Sequence, residues 1–248
     1  MTAVRAPMFR SLSRPSRVLG VHGAEGETGW KALFTRRHLA SPTEAVECAM
    51  LPPGAVSGEH LHTRTEELYL ILAGTGDFYL DGVPTRVGPG FMAVTTPGHT
   101  HGLVNTGNEQ LNWWVVETIT SSTQDALSVT PRSEVIMTAT PSPMDATPVQ
   151  TADLKTCPRV VSPGFFTGPL QAVERHHLVP EKAVSLGGYG HETAVFFNAG
   201  YGYVNQPDGQ SYLLNSPASI LVPAGQSEVF TAVGESELYV VELKVNQE

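Results

Sequence analysis

Charge is scarce in this chain. Asp, Glu, Lys and Arg make up only 16% of its 248 residues, against the roughly 25% of an ordinary soluble domain. What charge there is leans acidic, with 24 Asp and Glu, 15 Lys and Arg, and a formal net charge of -9. The shortage of basic residues excludes a basic face for nucleic acid or for an anionic membrane surface, so neither is expected as a partner. No apolar run reaches the roughly 18 residues that a membrane-spanning helix needs. Only two cysteines occur, Cys48 and Cys157, and their flanks carry neither a disulfide framework nor metal-ligand spacing. They read as reduced, structural thiols of a cytoplasmic protein. Also missing are a glycine-rich phosphate loop, a serine nucleophile elbow and a His-Glu-x-x-His helix, which removes the commonest nucleotide, hydrolase and zinc-protease chemistries.

Glycine (24) and proline (19) are present in number, and they punctuate short apolar runs. Glu66–Ala73 stops at Gly74-Thr75-Gly76. Asp77–Leu80 then meets Asp81-Gly82, a strong hairpin signal, and Val83–Val87 reads as the return strand. Phe91–Thr95, His101–Asn105 and Leu111–Ile119 follow, separated by Gly88-Pro89-Gly90 and Pro97-Gly98. Strands this short, with turns this frequent, predict an all-β sandwich or barrel. Residues 121–157 change character. Thr130-Pro131, Thr140-Pro141-Ser142-Pro143 and Thr147-Pro148 cannot supply a packed core, and the segment reads as a linker that wraps across a surface.

Beyond the linker the first pattern returns. Glu192–Gly202 matches Glu66–Gly76 at an offset of 126, and Asp208-Gly209 matches Asp81-Gly82 at 127. Ile220–Gly225 matches Ala93–Gly98, and Gly234–Leu238 matches Gly107–Leu111. This is a repeat of whole-domain size, giving a first β-barrel over 1–120, a linker over 121–157 and a second barrel over 158–248. The start of the chain carries Arg5, Arg10, Arg14 and Arg17 without an acid, the composition of a transit peptide. It is read here as an arm, or as a strand that docks on the partner barrel.

One segment carries chemistry. His60 and His62 are two apart, so a strand puts both rings on one face. Glu67 opens the next strand and reaches the same point. After a hairpin, His101 can return to the first three. Three neutral imidazoles and one carboxylate suit a single divalent transition ion, Mn, Fe, Co, Ni or Zn. Four protein ligands leave two positions of a six-coordinate ion open. Glu66 is adjacent, and with Glu67 turned to the histidines the pleat turns Glu66 to the opposite face.

These residues resemble the cupin superfamily. Gly54, His60, His62, Glu67 and Gly74 fit its first motif, and Gly90, Gly98, His101 and Asn105 fit its second. The proline of the second motif is displaced: Thr96 takes its place and Pro97 follows. The resemblance implies two double-stranded β-helix (jelly-roll) barrels in one chain, with the metal inside one mouth. In the second copy the ligand positions hold Leu186, Gly188, Thr193 and Glu228, so its metal site is lost.

Around the metal, Tyr69 shares the face of Glu67, while Leu103 and Asn105 share that of His101. One of the adjacent Trp113 and Trp114 must point inward, and Trp113 is taken for the pocket. Together with Arg64, placed at the mouth to clamp a carboxylate, these residues form the expected substrate pocket. His99 and Glu117 are the candidate general acid or base. The expectation is a metal-dependent enzyme acting on a small organic molecule, foremost a non-haem iron(II) dioxygenase. The alternatives are a Lewis-acid isomerase, cyclase, decarboxylase or hydrolase, or a non-catalytic binding or sensor protein. Cupins often pair barrels by exchanging edge strands. Two fused barrels can satisfy that pairing within one chain, and a homodimer is compatible with it.

Overall fold

The computed structural model describes residues 6–128 and 150–246. The proline clusters of the expected linker, between residues 130 and 148, lie outside the described residues. The first half contains β1 (Met8–Ser11), β2 (Ser16–Leu19), β3 (Glu27–Thr35), β4 (Thr43–Leu51), β5 (Val56–Leu61), β6 (Thr65–Ala73), β7 (Gly76–Leu80), β8 (Val83–Val87), β9 (Phe91–Thr95), β10 (Thr100–Val104) and β11 (Leu111–Ile119), then a short helix, α1 (Ser121–Ser128). The second half contains β12 (Gln150–Asp153), β13 (Arg159–Val161), β14 (Leu170–Leu178), β15 (Ala183–Leu186), β16 (His191–Ala199), β17 (Tyr201–Asn205), β18 (Ser211–Asn215), β19 (Ala218–Val222), β20 (Glu228–Ala232) and β21 (Ser236–Lys244). The protein is thus nearly all β, in two barrels.

Each barrel pairs one large sheet with one four-stranded sheet. In the first, the order β12-β9-β6-β11-β4-β3-β2 faces β5-β10-β7-β8; in the second, β1-β19-β16-β21-β14-β13 faces β15-β20-β17-β18. Two strands cross the sequence division of the chain. β1 pairs antiparallel with β19 of the second barrel, and β12 pairs antiparallel with β9 of the first. The exchange is reciprocal, since β9 and β19 are equivalent strands of the repeat. The arm at the start of the chain is therefore a docked strand, and the end of the expected linker is a sheet edge of the first barrel.

Alternation explains the cores. Along β6, Tyr69 and Ile71 turn into the first barrel, where they pack with Phe78, Leu103 and Trp113. Leu68, Leu70 and Leu72 turn outward, and together with Trp114, Ala194, Phe196, Tyr239 and Val241 they form the largest apolar cluster, between the two large sheets. The Trp114 and Phe196 rings meet across it at 5.8 Å. The interior of the second barrel is filled by Leu186, Val195, Phe197, Ile220 and Phe230. The last strand of the repeat slides two residues from the match seen in the sequence. Trp113 pairs with Ile71, whereas Leu238 pairs with Phe197. Between equivalent residues, the turn before this strand is two residues shorter in the second copy, while the ladder irregularity at Asn112/Trp113 recurs at the equivalent Phe197/Ala199, and Glu117 thereby corresponds to Glu242.

Two carboxylates clamp the barrels together. Glu66, fully buried, accepts from the Thr167 N–H at 2.8 Å, the Thr167 hydroxyl at 2.6 Å and the Gly168 N–H at 3.3 Å. Its counterpart Glu192, also buried, accepts from the Ala40 N–H at 2.9 Å, the Ser41 N–H at 2.8 Å and the Ser41 hydroxyl at 2.5 Å. The donors occupy equivalent positions of the repeat, so one contact is made twice about a pseudo-twofold axis. Glu192→Ala leaves two backbone N–H groups buried and unpaired, and is expected to lower unfolding stability by about 3 kcal/mol, Glu192→Gln by less. Urea unfolding measures both; an unchanged midpoint for the alanine variant would show that the clamp contributes nothing.

Candidate metal centre

β5 and β10 are ladder neighbours, and their register sets His60 opposite His101. His62 lies just past β5, held by its N–H donating to the His99 carbonyl at 3.0 Å and its carbonyl accepting from Gly98 N–H at 2.7 Å. Glu67 comes from β6 on the facing sheet. One ligand atom from each of the four lies within 4.8 Å of every other. Glu67 Oε2 stands 2.9 Å from His101 Nε2, 3.2 Å from His62 Nε2 and 4.0 Å from His60 Nε2. His62 Nε2 and His101 Nε2 are 3.4 Å apart.

The far side of each ring is already engaged. His60 Nδ1 meets the Gly58 carbonyl at 3.1 Å, His101 Nδ1 the Thr95 hydroxyl at 2.7 Å, and His62 Nδ1 the Thr65 hydroxyl at 3.5 Å. A carbonyl only accepts, so neutral His60 carries its proton on Nδ1 and turns the Nε2 lone pair inward. The same arrangement orients ligand histidines in metal sites. Glu67 Oε2 is buried and makes no aligned hydrogen bond despite its short approaches. Lone pairs aimed at one point repel unless a cation lies among them. The donor set therefore fits a divalent first-row ion, held by His60, His62, Glu67 and His101. Among the described residues this is the group of three or more potential ligands that could hold one.

Electrostatics agree. Burial, with His101 adding to it, pushes His60 down to about 4, so its ring is neutral at pH 7. Burial also works against a charge on His62, but the close Glu67 carboxylate outweighs it and raises His62 above its ordinary value. Glu67 is held well below the carboxylate range: burial opposes this, and His101 and His62 overcome it.

A cavity of about 500 Å³ opens beside the ligands. Arg64, Tyr69, Trp113 and Glu117, each expected from the sequence, line it. The Tyr69 ring stands 4.3 Å from that of His101 and 5.7 Å from that of Trp113. Burial raises the Glu117 carboxyl, and the nearby Glu67 charge raises it further. Three expected residues lie elsewhere. His99 precedes β10 on the outer turn, pairs with Asp81 at 2.7 Å and does not line this cavity. Leu103 lies deeper along the face of His101, inside the barrel core. Asn105 donates to the Leu51 and Glu109 carbonyls and accepts from Gly107 N–H, which fastens a turn away from the pocket.

Other lining residues escaped the sequence reading. Glu47 shares the inward face of β4 with Ala49 and lines the cavity. Burial pushes its carboxyl up to about 7, against a hydrogen bond from Trp30 Nε1 at 2.8 Å. Trp30, Val18 and Val21 close the mouth from the start of the chain. His22, in the short turn Val21–Gly23, stacks face to face on His60, with ring centroids 3.5 Å apart and planes 9° apart. Gly58 permits this approach: a Cβ there would meet the His22 carbonyl at 2.3 Å. Neither His22 nor Trp30 lies in a periodic pattern, and the alternation of β4 alone does not reveal which face of Glu47 is inward.

The second barrel reproduces the frame without the ligands. Leu186 stands opposite Glu228 as His60 stands opposite His101. Thr193 takes the place of Glu67. Glu228 is buried, with burial raising its pKa.

The sequence profile of the Cupin domain family matches residues 48–117. An oxalate-binding protein of Thermotoga maritima is 30% identical over 102 residues, which cover 41% of this chain and 84% of that protein. Among solved structures, the Escherichia coli pirin YhhW in complex with nickel(II) superposes with a TM-score of 0.67 at 14% identity, covering 97% of this chain and 100% of the pirin. A salicylate 1,2-dioxygenase from Pseudaminobacter salicylatoxidans superposes with a TM-score of 0.61 at 16% identity, covering 86% of this chain and 76% of that one. At these identities the structural matches establish the fold.

Two outcomes are expected at the centre. Protonation of His62 must be reversed before it can ligate, so affinity for Co²⁺ falls as pH drops below the raised His62 value. The fall is about tenfold per pH unit while one proton is displaced, and metal-competition titration across pH 5 to 8 reads it. His22→Ala removes the ring that steadies His60 and is expected to weaken Co²⁺ binding by about tenfold, whereas His22→Phe keeps the stack and the affinity. Equal losses in both variants would mean that His22 acts by something other than stacking.

Proposed function

We propose that this chain, which belongs to the cupin family, is a metal-dependent enzyme acting on a small organic molecule, with iron(II) in the first barrel and a dioxygenase reaction. The observation that carries the reading is the convergence of three imidazoles and one carboxylate at the wall of a 500 Å³ cavity. Four protein ligands leave room for an oxidant and a substrate side by side. Iron(II), when bound, supplies the electrons that make oxygen reactive towards an organic substrate. The protein's own residues do the rest. Tyr69, Trp113 and Trp30 pack a flat substrate, and His62, Glu67 and His101 lie buried at the cavity wall. Glu117 lies beside Glu67 across the β6–β11 ladder and takes or returns the substrate proton, its raised pKa favouring that exchange. Arg64 sits at the entrance. Its carbonyl accepts from the Thr120 and Thr123 hydroxyls, which ties the mouth loop to the start of α1.

A second reading draws support from the carboxyls of Glu47 and Glu117. Two groups of raised pKa beside the centre also suit Lewis-acid chemistry, in which a polarised carbonyl exchanges protons during isomerisation, decarboxylation or hydrolysis. The relative from Thermotoga places oxalate among the compounds to screen, and the salicylate dioxygenase adds hydroxylated aromatic acids.

Elemental analysis and oxygen uptake test the reading together. Wild type is expected to hold about one equivalent of metal, lost in His60→Ala/His101→Ala, and to consume oxygen only with iron(II) and a substrate present. Turnover under strict anaerobiosis would instead favour the Lewis-acid reading. Glu117→Gln is expected to retain the metal and lower kcat by about a hundredfold. No metal in wild type after reconstitution would overturn the proposal.

A further inference from the structure

We propose that the cavity of the first barrel selects against anions, and that it takes a flat, uncharged or cationic small molecule whose N–H or O–H groups donate to Glu47 and Glu117. The inference shares the pocket with the function proposed above and deepens it by naming the substrate's charge class.

The ladders place the carboxylates. Across β4, β11 and β6 one inward rung reads Ala45, Glu117, Glu67 and the next reads Glu47, Val115, Tyr69. Neighbouring strands lie about 4.8 Å apart. Glu117 therefore flanks the ligand Glu67, and Glu47 stands diagonally behind it, on one wall. Among the described residues that line the cavity, Arg64 is the one lysine or arginine. A divalent ion with three neutral imidazoles and Glu67 carries a single positive charge. Glu47, ionised above its raised pKa of about 7, cancels it, and Glu117 as a carboxylate turns the balance negative. A small dicarboxylate would then bring two further negative charges against this wall, with Arg64 alone at the mouth to answer them. Like-charge juxtaposition in a partly desolvated site is strongly unfavourable.

The wall also states what it wants. Carboxylates only accept hydrogen bonds. Glu47 Oε2 receives Trp30 Nε1, leaving its other oxygen to face a ligand. Beside these acceptors, on the same large sheet, stand the rings of Tyr69, Trp113 and Trp30, whose faces favour a flat group and attract a cation. The carboxylate clamp expected of Arg64 from the sequence is thus outnumbered by the groups deeper in the pocket.

Benzamidine, benzamide and benzoate share one ring and nearly one shape, and differ in charge. Calorimetric titration of Co²⁺-loaded protein with each, at mildly alkaline pH, reads the selection directly. Benzamidine is expected to bind wild type at least about tenfold more tightly than benzoate, with benzamide between them. Glu47→Gln/Glu117→Gln keeps shape and accepting oxygens, and is expected to shrink or reverse that ratio by about tenfold. Benzoate or oxalate binding wild type as tightly as benzamidine would overturn the inference, as would an unchanged order in the double variant or no binding of any of the three. The same titrations on metal-free protein separate the two proposals. Retained cation preference without any metal uptake would sink the metal reading alone, and anion preference with full Co²⁺ occupancy would sink this one alone.

Discussion

Glu66 and Glu67 are chain neighbours, and the pleat of β6 sends them in opposite directions. Glu67 reaches into the first barrel and completes the four-donor cluster. Glu66 reaches out to the second half of the chain and accepts three hydrogen bonds from Thr167 and Gly168. A slip of one residue in β6 would turn Glu67 outward with Tyr69 and Ile71 and Glu66 inward with Leu68, Leu70 and Leu72, so that the clamp lost its carboxylate and the centre lost Glu67. The register of this strand therefore ties the assembly of the two barrels to the construction of the site. The ladder to β11, from Glu67↔Glu117 to Trp113↔Ile71, holds that register.

The repeat shows what each copy retained. The clamp is kept on both sides of the pseudo-twofold axis, as Glu66 and Glu192, because each barrel needs it to seat the other. The metal donors are kept on one side. In the second barrel Leu186 replaces the first histidine and packs with Phe230 and Val222, so burial of apolar side chains now does the work of filling that interior. The second barrel supports the first with an apolar face and with the equivalents of its own β-ladders, and its mouth carries His191, Glu242 and Lys244 rather than a convergent ligand set.

The start of the chain links the halves a second time. β1 extends the large sheet of the second barrel, and β2, the turn at His22 and β3 then wall the cavity of the first. The ring that rests on His60 is thus anchored through a strand on the opposite barrel. Any account of how a ligand enters has to pass this segment, since Val18, Val21, His22 and Trp30 stand at the mouth.

Local rules made part of this readable from residues alone. A period of two put His60 and His62 on one face, turn chemistry spaced the strands, and the repeat exposed both the second barrel and the loss of its ligands. The ligand set came from spacing together with the resemblance of its two motifs to the cupin pattern, because strand geometry converts spacing into direction. Tertiary structure decided the remainder. Glu47, His22 and Trp30 join the site through cross-strand neighbours and a segment with no periodic signal. His99, Leu103 and Asn105 share a motif with His101, yet they lie on an outer turn, deeper in the core and at a fastened loop. The docking of β1 was one of two readings of the arm, whereas the exchange of β12 was hidden, since an edge strand's own residues do not say whose edge it will cover. Sequence determined which side chains share a face; only the packed sheets decided which faces meet.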